Sequence, residues 1–186
     1  YFGSNFIFFF CLTWMFTYLR ERFDIDAYQA SVYAMFPLIC GAFGNWFSGW
    51  LVDYIFKKGR WKWSRAIPAI IGFSLVGIGI IGILSTDEVL LAVIFLSLAV
   101  FGADMTLSPS WSFCVDIGKS HAGTIAGTMN MAGNIGSFIT GIAFPYLIIW
   151  TGTSDTFFII SGILVILSII AWLNVDPSNP IEYEKA

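Results

Sequence analysis

The 186 residues are 58% hydrophobic and 11% charged, with a mean hydropathy of +0.80, where ordinary soluble domains are about 25% charged. Surface-to-volume scaling gives a soluble core too little room for that much apolar chain, so lipid is the solvent for most of it. A net charge of −3 speaks against a nucleic-acid partner, and one histidine (His121) with three scattered cysteines (Cys11, Cys40, Cys114) speaks against a histidine metal cluster or a disulfide framework.

The chain opens "YFGSNFIFFF", with no initiator methionine and no charged stretch ahead of its first apolar run, and so reads as the interior of a longer protein. Six runs are long and apolar enough to cross a bilayer: 1–19, 30–52, 66–84, 89–114, 122–149 and 156–174. The expected fold is all-α: a polytopic six-helix transmembrane bundle over residues 1–174, followed by a cytoplasmic tail, 175–186.

The first span carries one amide, Asn5. The second closes on "GWLVDYIFKKG", which sets Asp53 at a helix C-terminus, where its charge opposes the dipole. Lys57 or the start of the next helix is the expected compensation; the plainer reading is a solvated loop carboxylate. Lys57, Lys58, Arg60, Lys62 and Arg65 then gather in one separator with Trp61 and Trp63, whereas 85–88 and 151–155 hold no basic residue. The positive-inside rule places 53–65 and both termini in the cytoplasm, with Trp61 and Trp63 as interfacial anchors. Arg20 and Arg22 fall in an outer separator, accompanied by Glu21, Asp24 and Asp26.

"GIGIIG" at 77–82 has the spacing of a dinucleotide-binding loop but lies within the third span, with no preceding strand, so it reads as a helix-packing surface. The fourth span ends "FGADMTLSPSWSFCVDIG", which puts Asp104, Ser108 and Trp111 on one helical face. Asp104 is either hydrogen-bonded between helices or part of a proton path. Trp111 is either an interface anchor or the floor of a cavity. Ser108 and Ser110 flank Pro109, whose missing N–H loosens the backbone, and make a reasonable polar wall.

In the fifth span Ala122, Ala126, Asn130 and Asn134 step by four along one face, while Gly123, Gly127, Gly133 and Gly136 offer a stripe for close helix contact. The two amides either join helices or border an aqueous cavity that binds solute.

With these residues in view, the whole chain resembles the C-terminal six-helix half of a major facilitator superfamily transporter. It is most similar to the anion:cation symporter branch, the carriers of hexuronate, galactonate and related organic acids. "GWLVD" at 49–53 with Lys57 and Lys58 looks like the second copy of the superfamily's G-x-x-x-D loop motif, with Tyr54 where a basic residue is common. "LSPSWSFCVDIGKSHAGTIAGTMNMAGNIGS" at 107–137 looks like the tenth and eleventh helices of that branch.

The resemblance implies a midplane cavity between two six-helix halves, opened alternately to each side. On it, Ser108, Ser110, Trp111 and Asn130 are substrate-wall residues, Asn134 is their neighbour, and Asn5 is a further candidate. A coupling or gating role falls to Asp104 and Asp53. No metal or cofactor is expected beyond a proton or other cation as coupling ion. No Lys or Arg lies within a span, so the resemblance assigns charge selection and coupling largely to an N-terminal half. The function implied is proton-coupled transport of a small organic anion, a sugar acid, across the inner membrane. A structural subunit of a membrane complex is the alternative. An intramembrane enzyme is a weaker one, because no nucleophile–base pair or G-x-S-x-G is visible.

Overall fold

The computed structural model describes residues 1–177. Among them the chain is helical throughout: α1 (Phe2–Thr13), α2 (Met15–Phe23), α3 (Ala27–Lys57), α4 (Trp61–Leu84), α5 (Val89–Met105), α6 (Leu107–Gly118), a short 3-10 turn at Lys119–His121, α7 (Ala122–Thr151) and α8 (Asp155–Asn174). The expected tail beyond 177 lies outside the described residues.

Length and composition single out four stretches able to cross a membrane (Ala27–Lys57, Trp61–Leu84, Val89–Thr151 and Asp155–Asn174), or five when α1 and α2 count as one bent span. The stretch 89–151 is too long for one crossing and folds back on itself. Cys114 Sγ lies 3.4 Å from Met129 Sδ, fifteen residues on, and the reversal falls at Lys119, whose φ is +44°.

Two expected spans are broken rather than continuous. The first, 1–19, bends by 62° between α1 and α2, where Thr13 Oγ1 bonds back to the Phe9 carbonyl at 2.6 Å, a contact that loosens a helix. The fourth, 89–114, breaks at Thr106 and its second part runs on to Gly118. Pro109 is the reason. It falls in the first turn of α6, where an N–H would have no intrahelical partner, and it denies a donor to the Met105 carbonyl four residues back. Ser48 Oγ from α3 supplies that donor.

Pro145 acts in the same way. Its missing N–H frees the Gly141 carbonyl, which accepts from Trp14 Nε1 at the α1–α2 bend, 3.2 Å away. In lipid a proline is tolerated where a neighbouring helix satisfies the carbonyl it orphans.

Small residues set the helix spacing. A Cβ on Gly72 would stand 2.5 Å from the Gly102 carbonyl oxygen, and one on Gly102 would overlap the Gly72 carbonyl in return. The α4–α5 contact therefore admits no side chain at either position. Two glycines of "GIGIIG" belong to the same contact, Gly79 facing Phe95 O and Ala99 and Gly82 lying against the Phe95 ring, while Gly77 faces Val165 of α8. Where α1, α2, α7 and α8 meet, an aromatic core forms from Phe6, Phe10, Tyr18, Phe144, Phe157 and Phe158, with Phe10 and Phe144 ring centres 4.9 Å apart.

Charge divides between the two ends. Arg22 pairs with Asp87 at 3.1 Å, and Tyr18, Glu21 and Arg22 share a recess with Gly152, Thr153 and Ser154. The first, third and fifth connections thus meet at an acidic end that holds Glu21, Asp24, Asp26, Asp87, Glu88 and Asp155 against Arg20 and Arg22. At the other end Arg65 pairs with Asp116, which joins the second and fourth connections, where Lys57, Lys58, Arg60, Lys62 and Lys119 gather.

Candidate substrate-facing site

One face of the bundle collects polar side chains from α1, α3, α5, α6 and α7. Its base is the α5–α6 junction. On one side of the junction, Asp104 lines a small recess of about 160 Å³ with Tyr1, Ser4, Asn5, Phe8, Ala103 and Leu107. On the other, Ser108 lines a wide cleft of about 650 Å³ with Ala42, Asn45, Trp46, Gly49, Trp50 and Asp53 of α3. The junction thus separates Asp104 from Ser108, which an unbroken helix would have stacked in one row.

Trp111 is 44% exposed and meets Tyr1 edge to face, with ring centres 6.3 Å apart. Beyond α1 stands α7. Its Gly133 lies so close to Tyr1 and Asn5 that a Cβ there would come within 2.7 Å and 2.8 Å of them. Asn130 and Asn134 flank that contact, both exposed. Neither amide makes a side-chain hydrogen bond among the described residues. Within this bundle they are therefore not what joins α7 to its neighbours; Gly133, Gly136 and the Thr140 hydroxyl, which donates to the Phe6 carbonyl at 2.7 Å, do that. Gly123 and Gly127, expected in the same packing stripe, face nothing within 4 Å.

Three expectations need correction. Ser110 is not on the wall: it is 3% exposed, and its hydroxyl bonds back to the Thr106 carbonyl at 2.6 Å. Asp53 is not at the end of its helix, because α3 continues a full turn to Lys57, and among the described residues it forms no ion pair with Lys57 or with the start of α4. Asp104 forms no hydrogen bond between helices. It is 9% exposed and packs over Gly41 of α3, where any Cβ would overlap its Oδ2.

Asn45 was missed. It stands four residues before Gly49 and eight before Asp53, so helical spacing alone puts all three on one face. The orphaned Met105 carbonyl likewise called for a donor, and Ser48 could have been sought for it. No group of three or more potential metal ligands occurs among the described residues.

Residues 1–141 match the family model of the Major Facilitator Superfamily. The chain belongs to that superfamily. It is 33% identical over 167 residues to a probable sulfoacetate transporter of Cupriavidus necator, a match covering 89% of this chain and 39% of that protein. It is 32% identical over 167 residues to a probable galactarate/D-glucarate transporter of Bacillus subtilis, covering 89% and 36%. A hexuronate transporter of Bacillus subtilis is 28% identical over 204 residues, covering 98% and 47%. The chain thus spans less than half the length of these relatives. All are named as transporters of organic anions, and members of this superfamily are multi-pass membrane carriers, not enzymes.

Proposed function

We propose that this chain is the C-terminal half of a carrier for a small organic anion, a sugar acid such as a hexuronate or aldonate. The carrier works by alternating access between two six-helix halves and is coupled to a proton or other cation. The observation that carries this reading is the single polar face on which Asn45, Ser108, Trp111, Asn5, Asn130 and Asn134 stand, four of the helices contributing. Amides, a hydroxyl and an indole N–H suit a polyhydroxylated solute, and the relatives' names supply the class of anion. The face holds no Lys or Arg, so the positive contact for a carboxylate falls to the N-terminal half. Saturable uptake of labelled D-glucarate or a hexuronate by the full-length carrier in proteoliposomes is the test; none for any organic acid of the relatives' classes would overturn the reading.

Alternating access needs two halves rocking around one site. The isolated chain, reconstituted alone, is therefore expected to show no saturable uptake, and coexpression with its other half to restore some. Robust uptake by the isolated chain would mean that two copies suffice.

The carrier sits in the inner membrane with its basic end in the cytoplasm, in accord with the charge division between its ends. In a background without Cys11, Cys40 and Cys114, single cysteines at Lys58 and Thr86 are expected to react with impermeant reagent from opposite sides. Labelling of both from the same side would reject this topology.

A further inference from the structure

The turn between α3 and α4 gathers positive charge that the fold leaves uncompensated. Among the described residues Arg65 pairs with Asp116, and Lys62 lies 3.8 Å from Asp176. Lys57, Lys58 and Arg60 are exposed and form no ion pair among those residues. Asp53 stands one turn before Lys57 and does not pair with it either. Lys58 rests its ammonium 4.3 Å from the centre of the Tyr54 ring, a contact that neutralises no charge. Gly59, at φ +74°, folds the chain tightly between these residues, so three like charges crowd one bend and repel one another.

The bend also stands at the end of an apolar strip. Trp63, Ile67, Ile71, Ser74, Ile78 and Ile81 recur at helical spacing along α4, and all but the half-buried Ile67 are exposed. Ser74, the polar member, turns its hydroxyl to the Ile70 carbonyl of its own helix at 2.8 Å. Neither recess of the polar face takes a residue from α4, so this strip is left to the bilayer. Trp61 and Trp63 stand where the strip meets the cations, and Trp61 packs edge to face on Phe56 with ring centres 6.0 Å apart. Cations, then indoles, then aliphatic side chains follow the order of a phospholipid: phosphate, ester level, acyl chain.

We propose that the α3–α4 turn is a site for an anionic phospholipid of the leaflet at the basic end. Lys57, Lys58 and Arg60 hold its phosphate, Trp61 and Trp63 lie at its ester level, and an acyl chain follows Ile67 and Ile71. A chain of one leaflet reaches about 15 Å, half the hydrocarbon core, and so covers the strip as far as Ser74. A zwitterionic lipid brings its own ammonium and leaves the cations of the bend uncompensated; an anionic one does not. The site depends on the membrane fold alone and stands whichever solute the carrier moves.

The test uses the full-length carrier in vesicles of phosphatidylcholine with increasing phosphatidylglycerol, one of the two lipids carrying brominated chains that quench tryptophan. The signal from the site is the difference between wild type and a Trp61→Phe/Trp63→Phe variant. Wild type is expected to prefer phosphatidylglycerol by about fivefold or more, since each basic residue at an anionic surface contributes about that factor. Lys57→Gln/Lys58→Gln/Arg60→Gln is expected to lose the preference with an unchanged melting temperature, because these side chains join no helices. Lys119→Gln, on the connection before α7, is the control for diffuse attraction and is expected to keep it. Equal quenching by both lipids in the wild type would overturn the site. A triple variant that folds and keeps the preference would overturn it too, as would a loss in Lys119→Gln as large as in the triple variant. Inorganic phosphate that removes the preference at constant ionic strength would identify a soluble anion as the occupant and overturn the lipid.

Discussion

Arg65→Ala is expected to destabilise the folded bundle by about 3 kcal/mol, the low end of what breaking a buried ion pair costs. Arg65 Nε lies 2.8 Å from Asp116 Oδ2, and Nη2 lies 3.4 Å from Oδ1, so the guanidinium grips both carboxylate oxygens. The two side chains are only 10% and 13% exposed. Phe56, near the end of α3, places its ring 5.3 Å from the guanidinium carbon, so one arginine joins the ends of three helices. Truncation leaves the Asp116 carboxyl group largely buried and without its partner. Arg65→Lys keeps the charge but loses the fork, and is expected to fall between wild type and alanine. A double-mutant cycle with Asp116→Ala, followed by chemical denaturation in detergent, gives the coupling directly. Single losses that simply add in the double variant would show that the pair contributes nothing beyond its separate side chains.

That pair also shows what the sequence makes legible and what it hides. Arg65 and Asp116 are both plain in the sequence, one in the basic separator and the other at the end of the fourth span, but their 51-residue separation carries no pairing signal. The spans themselves are readable because lipid demands long apolar runs. Charge at the separators is readable for the same reason, and the structure sorts it to two ends.

The breaks were half-legible. Pro109 and Pro145 announce that a carbonyl four residues earlier will lack its donor, yet only packing reveals that Ser48 and Trp14 supply it. The glycines behaved likewise. Gly72, Gly79 and Gly82 pack tightly on α5, whereas Gly123 and Gly127, in the same kind of spacing, meet nothing. A small residue permits close approach but does not choose the neighbour.

Ser110 shows the same limit in the site. A hydroxyl beside a proline can wall a cavity or bond back along its own helix, and residue type alone does not decide between these. Here the helical restart at Leu107 turns it inward, to the Thr106 carbonyl. Asn45 shows the converse. Its helical register with Asp53 was readable, but its place beside Ser108 follows from how α3 crosses the α5–α6 junction.

Asn130→Ala in the full carrier is expected to weaken apparent affinity for the anion by roughly 5- to 150-fold, the equivalent of about 1–3 kcal/mol for one buried hydrogen bond left unmade. Asn130 and Asn134 lie exposed on α7, without a side-chain hydrogen bond among the described residues. An amide held at membrane depth in that state needs water, solute or a helix of the other half as its partner. If the partner is solute, the folded protein loses little when the amide is removed, because interhelical polar contacts in membranes average only about 0.6 kcal/mol. Trp111→Ala is expected to act in the same direction. Trp111→Phe should be milder if ring area matters more than the indole N–H, since its ring already stands edge-on to Tyr1 and is 44% exposed. Asn134→Ala is expected to have the smaller effect on uptake, as it stands one turn further along α7. The deciding comparison is anion binding against melting temperature, both measured on purified Asn130→Ala. Weakened binding with an unchanged melting temperature assigns the amide to the solute. Unchanged binding with a clearly lowered melting temperature would assign it to helix contact with the other half, and the solute wall would then rest on Asn45, Ser108 and Trp111.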